Sequence, residues 1–414
     1  MVMKTNIKLK KPEVLAPAGT LEKLKTAIHY GADAVYIGGN AYGLRSRAGN
    51  FSYDEMKDGV NFAKKHQAKV YVAANMVTHE EDAQGAGDFF RTIRDIGIDA
   101  VIVSDPALME ICMMDAPGLP VHLSTQASAT NYETLNFWHS EGLERVVLAR
   151  EVSMDEIKQI RQNTDVEIET FIHGAMCISY SGRCTLSNHM SARDANRGGC
   201  SQSCRWKYEL FEMPEAGERI SLLGGDPEEA FSMSAVDMSM IHHIPDLVRN
   251  GVDSLKIEGR MKSIHYVSTV SNVYSRAVNV FCEDPDNYEF NQEWEDELWK
   301  VAQRELATGF YYGVPTEDQQ LFGKRRKIPG YTFIGQVLDY DEKTGIATIE
   351  QRNSFGIGDE VEFYGPGFSH HTQKIDVLWD EAGEEIDRAR HPLMTVKMKV
   401  ERPVKPLDMM RKMK

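Results

Sequence analysis

Short apolar runs alternate with amphipathic helical stretches over residues 13–281, and this alternation limits the possible folds more than any other feature. Segments with helical periodicity, such as residues 21–30 and 53–65, separate the runs. Strands that alternate with helices pair in parallel, and eight repeats favour a closed (β/α)8 barrel over an open sheet. The sequence therefore predicts an α/β, TIM-barrel-like domain. Its eight strands are predicted at residues 14–16, 34–37, 70–73, 100–103, 121–123, 145–149, 166–171 and 254–257.

The connection between the seventh and eighth predicted strands is unusually long, at about 80 residues. An insertion at about 175–236 carries four cysteines, and long insertions at the carboxyl end of a barrel strand usually build active sites. We predict a barrel domain over 1–281 and a helical connector and linker over 282–330. A small all-β barrel is expected over 331–404 because short alternating strands with turn signals fill that stretch, and a basic tail over 405–414.

The four cysteines of the insertion have the pattern Cys177-x6-Cys184-x15-Cys200-x3-Cys204. Such a cluster indicates metal or redox chemistry before disulfides in an intracellular chain. Structural zinc is typically bound by cysteine pairs two to four residues apart, and only the last pair comes close to that spacing. The irregular spacing favours an iron–sulfur cluster, with zinc or unligated thiols as the alternatives.

Polar residues follow the predicted strands, where a barrel brings them to one face. Arginine guanidinium groups bind carboxylates and phosphates through two hydrogen bonds, so this face would suit a small dicarboxylate or phosphate ligand. Alternatively, the arginines pair with Glu151 and Glu258 and bind nothing. Arg193 and Arg197, beside the cysteines, would offset cluster charge or contact a phosphate backbone. The predicted ligand-binding residues after strands are Arg45, Arg47, Gln126, Arg150 and Arg260, and the candidate catalytic residues are His173, Glu258 and Asp237.

The net charge of −15 argues against extensive nucleic-acid contact, which requires a positive surface. Any RNA contact should be local, for example through the basic residues 324–327. The other basic clusters, residues 8–11 and 411–414, are expected to be solvated. No apolar run reaches the roughly 18 residues that span a membrane, and the amino terminus lacks the apolar region of a secretory signal. We therefore expect a cytoplasmic protein without membrane contact.

Several sequence segments resemble the signature of peptidase family U32. They include Glu169 to Cys177 (ETFIHGAMC) and Gly182 to Ser187 (GRCTLS), with the opening VLAPAG at Val14. The resemblance extends over residues 12–275, and the C-terminal β-module also occurs in some members. The family is named after reported collagenases, but this sequence has neither an HExxH zinc motif nor a G-x-S-x-G elbow. A cysteine protease would need a free thiolate beside a base, as Cys177 with His173 would provide.

Other members of the family resemble oxygen-independent hydroxylases that bind a [4Fe–4S] cluster through four cysteines, with prephenate as the implied hydroxyl source. Their substrates include the wobble uridine of tRNA, a ribosomal cytidine and ubiquinone precursors. The resemblance implies that Cys177, Cys184 and Cys200 are cluster ligands, with Cys204 as the fourth. We expect tRNA hydroxylation to 5-hydroxyuridine, with a U32-type peptidase as the alternative. A third hypothesis is a non-catalytic scaffold that pairs with a second U32 protein.

Overall fold

The computed structural model of this chain describes residues 9–44, 49–212, 217, 220–223, 231–316, 319–322 and 329–414. Eight parallel strands form a closed barrel, because the last of them pairs with both the first and the seventh. The predicted (β/α)8 barrel is therefore confirmed, and all eight predicted strands are present. The barrel strands are β1 (Glu13–Pro17), β2 (Ala34–Gly38), β3 (Lys69–Ala74), β4 (Ala100–Val103), β5 (Val121–Leu123), β6 (Arg145–Val147), β7 (Glu167–Ala175) and β12 (Ser254–Ile257).

Helices cover the outside of the barrel, and their starts follow from side-chain capping. Ser52 and Ser153 each form a capping box with a glutamate three residues on, so backbone N–H groups at the start of α2 and α6 are satisfied. The helices are α1 (Leu21–His29), α2 (Tyr53–Lys65), α3 (Ala86–Ile96), α4 (Pro106–Asp115), α5 (Tyr132–Ser140), α6 (Met154–Asn163), α7 (Leu186–Ser191), α8 (Ile244–Arg249), α9 (Ile264–Glu283) and α10 (Gln292–Val301).

A Gly-x-Asp sequence precedes three of the barrel strands and sets their start. In each case the glycine has positive φ, which ends the preceding helix, and the aspartate carboxylate accepts a hydrogen bond from the neighbouring strand. Asp33 accepts from the backbone N–H of Val14 at 2.9 Å, and Asp99 accepts from Val70 at 2.8 Å. Asp253 accepts from Ile168 at 3.0 Å. These contacts fix the amino-terminal end of the barrel, and leave its carboxyl-terminal end for the loops that form the candidate site.

The cysteine-bearing insertion follows β7, as predicted. It contains α7 and the short strands β8 (Leu210–Glu212), β9 (Ile220–Leu223) and β10 (Phe231–Ala235). It returns through β11 (Asp237–Ser239), which pairs antiparallel with the end of β7, and β13 (Leu306–Ala307) extends this edge. A further strand, β14 (Gln320–Phe322), pairs with β10. The insertion is thus anchored to the barrel at the carboxyl end of β7.

The C-terminal region is antiparallel and all-β, which confirms the predicted class. Its main sheet has seven strands in the order β19-β18-β23-β15-β16-β22-β20, beside a separate pair of β17 and β21. The strands are β15 (Tyr331–Asp341), β16 (Ile346–Gln351), β17 (Phe355–Gly356), β18 (Glu360–Gly365), β19 (Ser369–Lys374), β20 (Leu378–Trp379), β21 (Arg388–Ala389), β22 (Thr395–Lys399) and β23 (Met409–Met413).

Two boundaries differ from the sequence-based division. The predicted barrel end at residue 281 falls inside α9, which continues to Glu283. The prediction of a basic tail over 405–414, with the cluster 411–414 solvated, is wrong because residues 409–413 form β23, which lies between β18 and β15. Its Arg411 is fully buried and pairs with Glu297 of α10 and Glu362 of β18, both at 2.8 Å. Those two carboxylates explain how a basic sequence can enter a core.

The barrel and the C-terminal sheet share a polar interface around α9. The hydroxyl groups of Ser268 and Tyr364 lie 2.8 Å apart, and Tyr30, which directly follows α1, donates to the carbonyl of Tyr364 at 2.9 Å. Asn272 donates to the carbonyl of Gly365 at 3.2 Å. Buried hydrogen bonds of this kind require a fixed orientation, so they hold the two regions in register. Among the described residues, no helix has the length and apolar character needed to cross a membrane.

Candidate active site at the barrel mouth

A cavity opens at the carboxyl end of the barrel strands, where the sequence predicted a site. Three of the predicted ligand-binding residues, Gln126, Arg150 and Arg260, line it together. The candidate catalytic residue Glu258 and the predicted cluster ligand Cys177 also line it. Residues that lie up to 134 positions apart in the sequence are therefore brought to a single cavity, which we refer to as the mouth cavity.

Arg150 follows β6 and is held in one orientation. Its Nη2 donates to Glu258 at 2.9 Å, and its guanidinium group stacks over the ring of Phe171, 3.8 Å from the centroid. The side chain is 7% exposed. Stacking on an aromatic face and pairing with a carboxylate both preserve the positive charge of a buried guanidinium group. The arginine–Glu258 pairing expected under the alternative hypothesis is thus present, while Glu151 instead accepts hydrogen bonds from Ser181, one of them from its backbone N–H at 3.0 Å.

Arg260 follows β12 and crosses the end of β2. Its Nη2 donates to Asn50 at 3.0 Å, and the residue is 5% exposed. Gly38, the last residue of β2, makes this position possible, since a Cβ atom built there would lie 2.1 Å from the Arg260 Nη2 atom. Non-bonded heavy atoms do not approach so closely. The guanidinium group therefore could not occupy this place if position 38 carried a side chain. Arg260 was predictable from the sequence, whereas the requirement for glycine at position 38 is visible only in the structure.

Lys256 is a lining residue that the sequence analysis missed. It lies in the middle of β12 and donates to the buried carboxylate of Glu169 at 2.6 Å. Its ammonium group is 4.7 Å from the centroid of the Tyr36 ring. Behind it, Arg145 pairs with Glu169 at 3.2 Å and with Glu13 at 2.7 Å, so the barrel interior contains a compensated charge network. A lysine at a strand position that should be buried was the signal that could have revealed it.

Short polar contacts arrange the loop after β5, which contributes Gln126. Asn75 donates to the hydroxyl of Ser124 at 3.3 Å, and the same hydroxyl accepts from the backbone N–H of Gln126 at 3.3 Å. Gly182 of the insertion packs directly on this loop, because a Cβ atom there would lie 2.0 Å from the carbonyl oxygen of Gln126. Gly182 has φ of +75°, a conformation that glycine adopts readily. The insertion therefore closes against one wall of the mouth cavity.

The four cysteines of the insertion are all free thiols. Cys177 and Cys200 are exposed, whereas Cys184 and Cys204 are partly buried. Burial raises the pKa of Cys204; the positive charge of Arg205 opposes this effect, and the other three thiolates reinforce it. This influence on Cys204 indicates that the other three sulfur atoms lie in its surroundings. Of the remaining two cysteines, Cys112 is buried in α4 and Cys282 lies in α9, apart from the group.

Two of the candidate catalytic residues lie outside the lining of the mouth cavity. His173 is buried between Tyr266 and Tyr274, and its Nδ1 lies 3.3 Å from the Tyr274 hydroxyl. Burial lowers the pKa of His173 to about 4, so the ring is neutral at physiological pH. Asp237 is also buried and accepts a 2.6 Å hydrogen bond from Arg304. Of the three candidates, the structure brings only Glu258 to the mouth cavity.

Arg197 binds the insertion to the barrel. Arg197 pairs with Asp82 at 2.7 Å and Glu81 at 3.2 Å, on the loop after β3. The backbone N–H of Val77 donates to the carbonyl of Asn196 at 2.9 Å beside this pair. Arg193 does not line the mouth cavity either. The predicted ligand-binding residues Arg45 and Arg47 and the basic residues 324–327 lie outside the described residues.

Comparison with known proteins identifies the family. A family model described as "Peptidase family U32" matches residues 19–321, and one described as "Peptidase family U32 C-terminal domain" matches residues 329–411. The chain is 52% identical to the "tRNA hydroxylation protein P1" of Bacillus subtilis over 403 residues, which cover 97% of this chain and 95% of that protein.

Two further relatives carry different names. The "tRNA hydroxylation protein P" of Escherichia coli is 34% identical over 396 residues, covering 86% of each chain. A "Collagenase" of Porphyromonas gingivalis is 32% identical over 413 residues, covering 96% of each. The extent of these matches, over both regions of the fold, leads to one conclusion: the chain belongs to peptidase family U32.

Proposed function

We propose that this chain is an RNA-modifying enzyme that hydroxylates the wobble uridine of tRNA to 5-hydroxyuridine. It would use prephenate as the hydroxyl source and a [4Fe–4S] cluster held by the four cysteines of the insertion. The observation that carries the proposal is that Cys177 lines the same cavity as Arg150 and Arg260. A redox-active ligand set would thus adjoin a site for a small anion. The names of the Bacillus subtilis and Escherichia coli relatives support the choice of tRNA.

The donor set suits a cluster better than a single ion. Four thiolates are the usual ligands of a [4Fe–4S] cluster. Around tetrahedral zinc, with Zn–S bonds of about 2.3 Å, sulfur atoms would lie about 3.8 Å apart. Among the described residues, the trio whose ligand atoms all lie within 4.8 Å of one another is Glu297, Glu362 and His370, and includes none of the four cysteines. A wider separation is expected when each thiolate binds a different iron atom.

The charge of the mouth cavity suits a dicarboxylate such as prephenate. Among the described residues that line it, Arg150, Arg260 and Lys256 are cationic and Glu258 is the one carboxylate. Lys256 pairs with Glu169 behind the wall, and Arg150 and Arg260 are the guanidinium groups among the described residues of the lining. Because both are oriented by other contacts before any ligand arrives, little side-chain entropy would be lost on binding. We infer that Arg150 and Arg260 hold the ligand carboxylates, while Gln126 donates or accepts a hydrogen bond.

Hydroxylation imposes a chemical balance on the site. Prephenate would release its ring hydroxyl as hydroxide when its C–O bond breaks, as it loses carbon dioxide and its ring becomes aromatic. Replacing the C5–H bond of uridine by a bond to this hydroxide then releases one proton and two electrons, so an external electron acceptor is required. When bound, an iron–sulfur cluster supplies one-electron transfer. Glu258 is the carboxylate of the mouth cavity and is the candidate to accept the proton. Phe171 and Leu44 provide apolar surface in the same lining, which limits access of water.

The peptidase hypothesis finds less support in the geometry. It requires a base beside the Cys177 thiol, and His173 was the candidate in the sequence. The His173 ring instead contacts two tyrosines in the core and does not line the mouth cavity. The four neighbouring thiolates also favour metal ligation over a single nucleophile.

The decisive experiment is nucleoside analysis by mass spectrometry of tRNA that carries an unmodified wobble uridine. The full chain, purified and reconstituted without oxygen, is incubated with this tRNA and an electron acceptor, with and without prephenate. We expect 5-hydroxyuridine only when prephenate is present. Formation of 5-hydroxyuridine without prephenate would exclude prephenate as the hydroxyl source. If 5-hydroxyuridine forms in neither reaction and the protein cleaves a collagen peptide, the peptidase hypothesis is supported.

A further inference from the structure

A second cavity lies beside the cysteine insertion and is lined by three cationic side chains. Arg205 comes directly after Cys204, Lys262 follows β12, and Arg304 follows α10. The other polar side chains in its wall include Gln202, Gln303 and Ser232. No carboxylate is among the described residues that line it. We refer to it as the Arg205 cavity.

The positive charge of this cavity is only partly compensated. Lys262 and Arg304 share one carboxylate, that of Asp237, which lies 2.6 Å from Arg304 and 3.9 Å from Lys262. Among the described residues, these two cations thus share one carboxylate, which leaves a local excess of positive charge. Both side chains are largely buried, at 18% and 15% exposure, so water screens this excess poorly.

The pKa of Lys262 reflects the positive charges around it. Burial lowers the pKa of its ammonium group, and the positive charges of Arg304 and Arg205 lower it further, whereas the carboxylates of Asp237 and, more weakly, Glu258 raise it. A bound anion would offset these repulsions and favour the charged ammonium. Arg205 is oriented toward its neighbours by a 3.3 Å hydrogen bond from its Nη1 to the side chain of Gln202. The cavity therefore has donors already arranged for an anion.

Two features describe the surroundings of the Arg205 cavity. The hydroxyl of Ser232 donates to the carbonyl of Cys204 at 3.3 Å, so one wall is bonded to the cysteine loop. Trp206 follows Arg205 and is 41% exposed, and the next residue, Lys207, is exposed as well. A basic groove with an exposed aromatic side chain is the arrangement that binds single-stranded nucleic acid, with phosphates on the cations and a base on the ring.

We propose that the Arg205 cavity binds a phosphodiester group of the RNA substrate, through Arg205, Lys262 and Arg304. The choice of RNA as the source of the phosphate rests on the proposed function. A phosphate held here, beside the cysteine loop, would fix the backbone near the nucleotide whose base enters the mouth cavity. This local contact also reconciles RNA binding with a net charge of −15.

The test measures RNA binding without catalysis. The full chain and the variants Lys262→Gln and Arg205→Gln are titrated against a fluorescein-labelled anticodon stem–loop RNA at several salt concentrations. The matched control is Lys57→Gln, which removes one positive charge from the exposed face of α2. Circular dichroism and thermal unfolding establish that each variant is folded, and Arg304→Lys, which retains the charge beside Asp237, serves as a second, milder variant.

We expect Kd to rise at least fivefold for Lys262→Gln and for Arg205→Gln, with little change for Lys57→Gln. The slope of log K against log salt concentration should fall by about 0.7 for each lost contact. Kd values and slopes equal to those of the control would overturn the proposal. A parallel arm measures thermal stabilisation by inorganic pyrophosphate: stabilisation lost in Lys262→Gln, with unchanged RNA affinity, would assign the cavity to a free phosphorylated anion and also overturn it.

The outcome is separable from that of the proposed function. If the variants weaken RNA binding but no 5-hydroxyuridine forms with the unaltered chain, the phosphate site stands and the hydroxylation proposal falls. If 5-hydroxyuridine forms but the variants bind RNA like the control, the phosphate site falls alone.

Discussion

Arg150 donates a 2.9 Å hydrogen bond to Glu258 across the barrel mouth, which joins the end of β6 to the end of β12. The pair lies between Phe171, which covers one face of the guanidinium group, and the rest of the mouth cavity. An arginine fixed in this way presents its remaining N–H groups in a constant direction. This relationship underlies the first prediction.

Arg150→Lys should raise KM for prephenate at least tenfold and change kcat much less. A lysine ammonium cannot form a planar stack on Phe171, and it cannot keep the bond to Glu258 while making two parallel bonds to a carboxylate. Steady-state kinetics of 5-hydroxyuridine formation measures both constants. Arg94→Lys, on the outer helix α3, is the control and should behave like the unaltered chain. A KM equal to that of the control would show that Arg150 does not bind the ligand.

Gly38→Ala should reduce activity strongly while the barrel remains folded. The added methyl group would lie 2.1 Å from the Arg260 Nη2 atom, so the guanidinium group must leave its place and its hydrogen bond to Asn50. The matched control is Gly330→Ala, because no atom lies within 4 Å of a Cβ built there. Activity assays with thermal unfolding separate the two effects. If Gly38→Ala retains full activity, the position of Arg260 does not matter for catalysis.

Arg411→Ala should destabilise the C-terminal sheet by about 3–5 kcal/mol. The substitution leaves the carboxylates of Glu297 and Glu362 in a buried site without their main cation, and breaking one side of a buried ion pair has a cost of this order. Urea unfolding monitored by tryptophan fluorescence measures the loss. Arg390→Ala is the comparison, because Arg390 forms an exposed pair with Asp387, which contributes at most about 1 kcal/mol. Equal losses in the two variants would contradict a buried role for β23.

Stability should decrease as the pH falls from about 6.5 towards about 4, and His173 should account for part of this. Burial lowers its pKa to about 4 in the folded state, against about 6.5 in the unfolded chain. The unfolded chain therefore binds the proton first, and the stability present above pH 6.5 is lost through this window by up to about 3 kcal/mol. His173→Gln should flatten the dependence relative to His66→Gln, which alters an exposed histidine. If the plots of stability against pH are parallel for the two variants, His173 is not buried in its neutral form.

The sequence was sufficient for the barrel because the strand and helix periods differ clearly and each of three strands is preceded by the same Gly-x-Asp signal. Polar residues directly after strands were also predictable, since barrel topology alone brings Gln126, Arg150 and Arg260 together. The pairing of a buried charge with a residue distant in the sequence was not predictable from the local sequence pattern. Arg411 seemed solvated because its carboxylate partners lie 49 and 114 positions away.

The same reason explains the errors within the candidate site. His173 follows the pattern of a strand-end catalytic residue, yet its side chain packs against Tyr266 and Tyr274 of α9, about 100 residues later. Lys256 was overlooked because its partner Glu169 belongs to a different strand. In both cases the burial and the partner of a side chain, which only the fold determines, decided where it lies.

The most direct test of this account is the content of iron, acid-labile sulfide and zinc in protein purified without oxygen, for the unaltered chain, Cys200→Ser and Cys282→Ser. We predict about four irons and four sulfides per chain, retained in Cys282→Ser and largely lost in Cys200→Ser. The reason is that Cys200 is one of the four cysteines of the insertion, whereas Cys282 lies in α9. Zinc without sulfide, or an iron content that Cys200→Ser leaves unchanged, would contradict a cluster at the barrel mouth and the hydroxylation chemistry proposed from it.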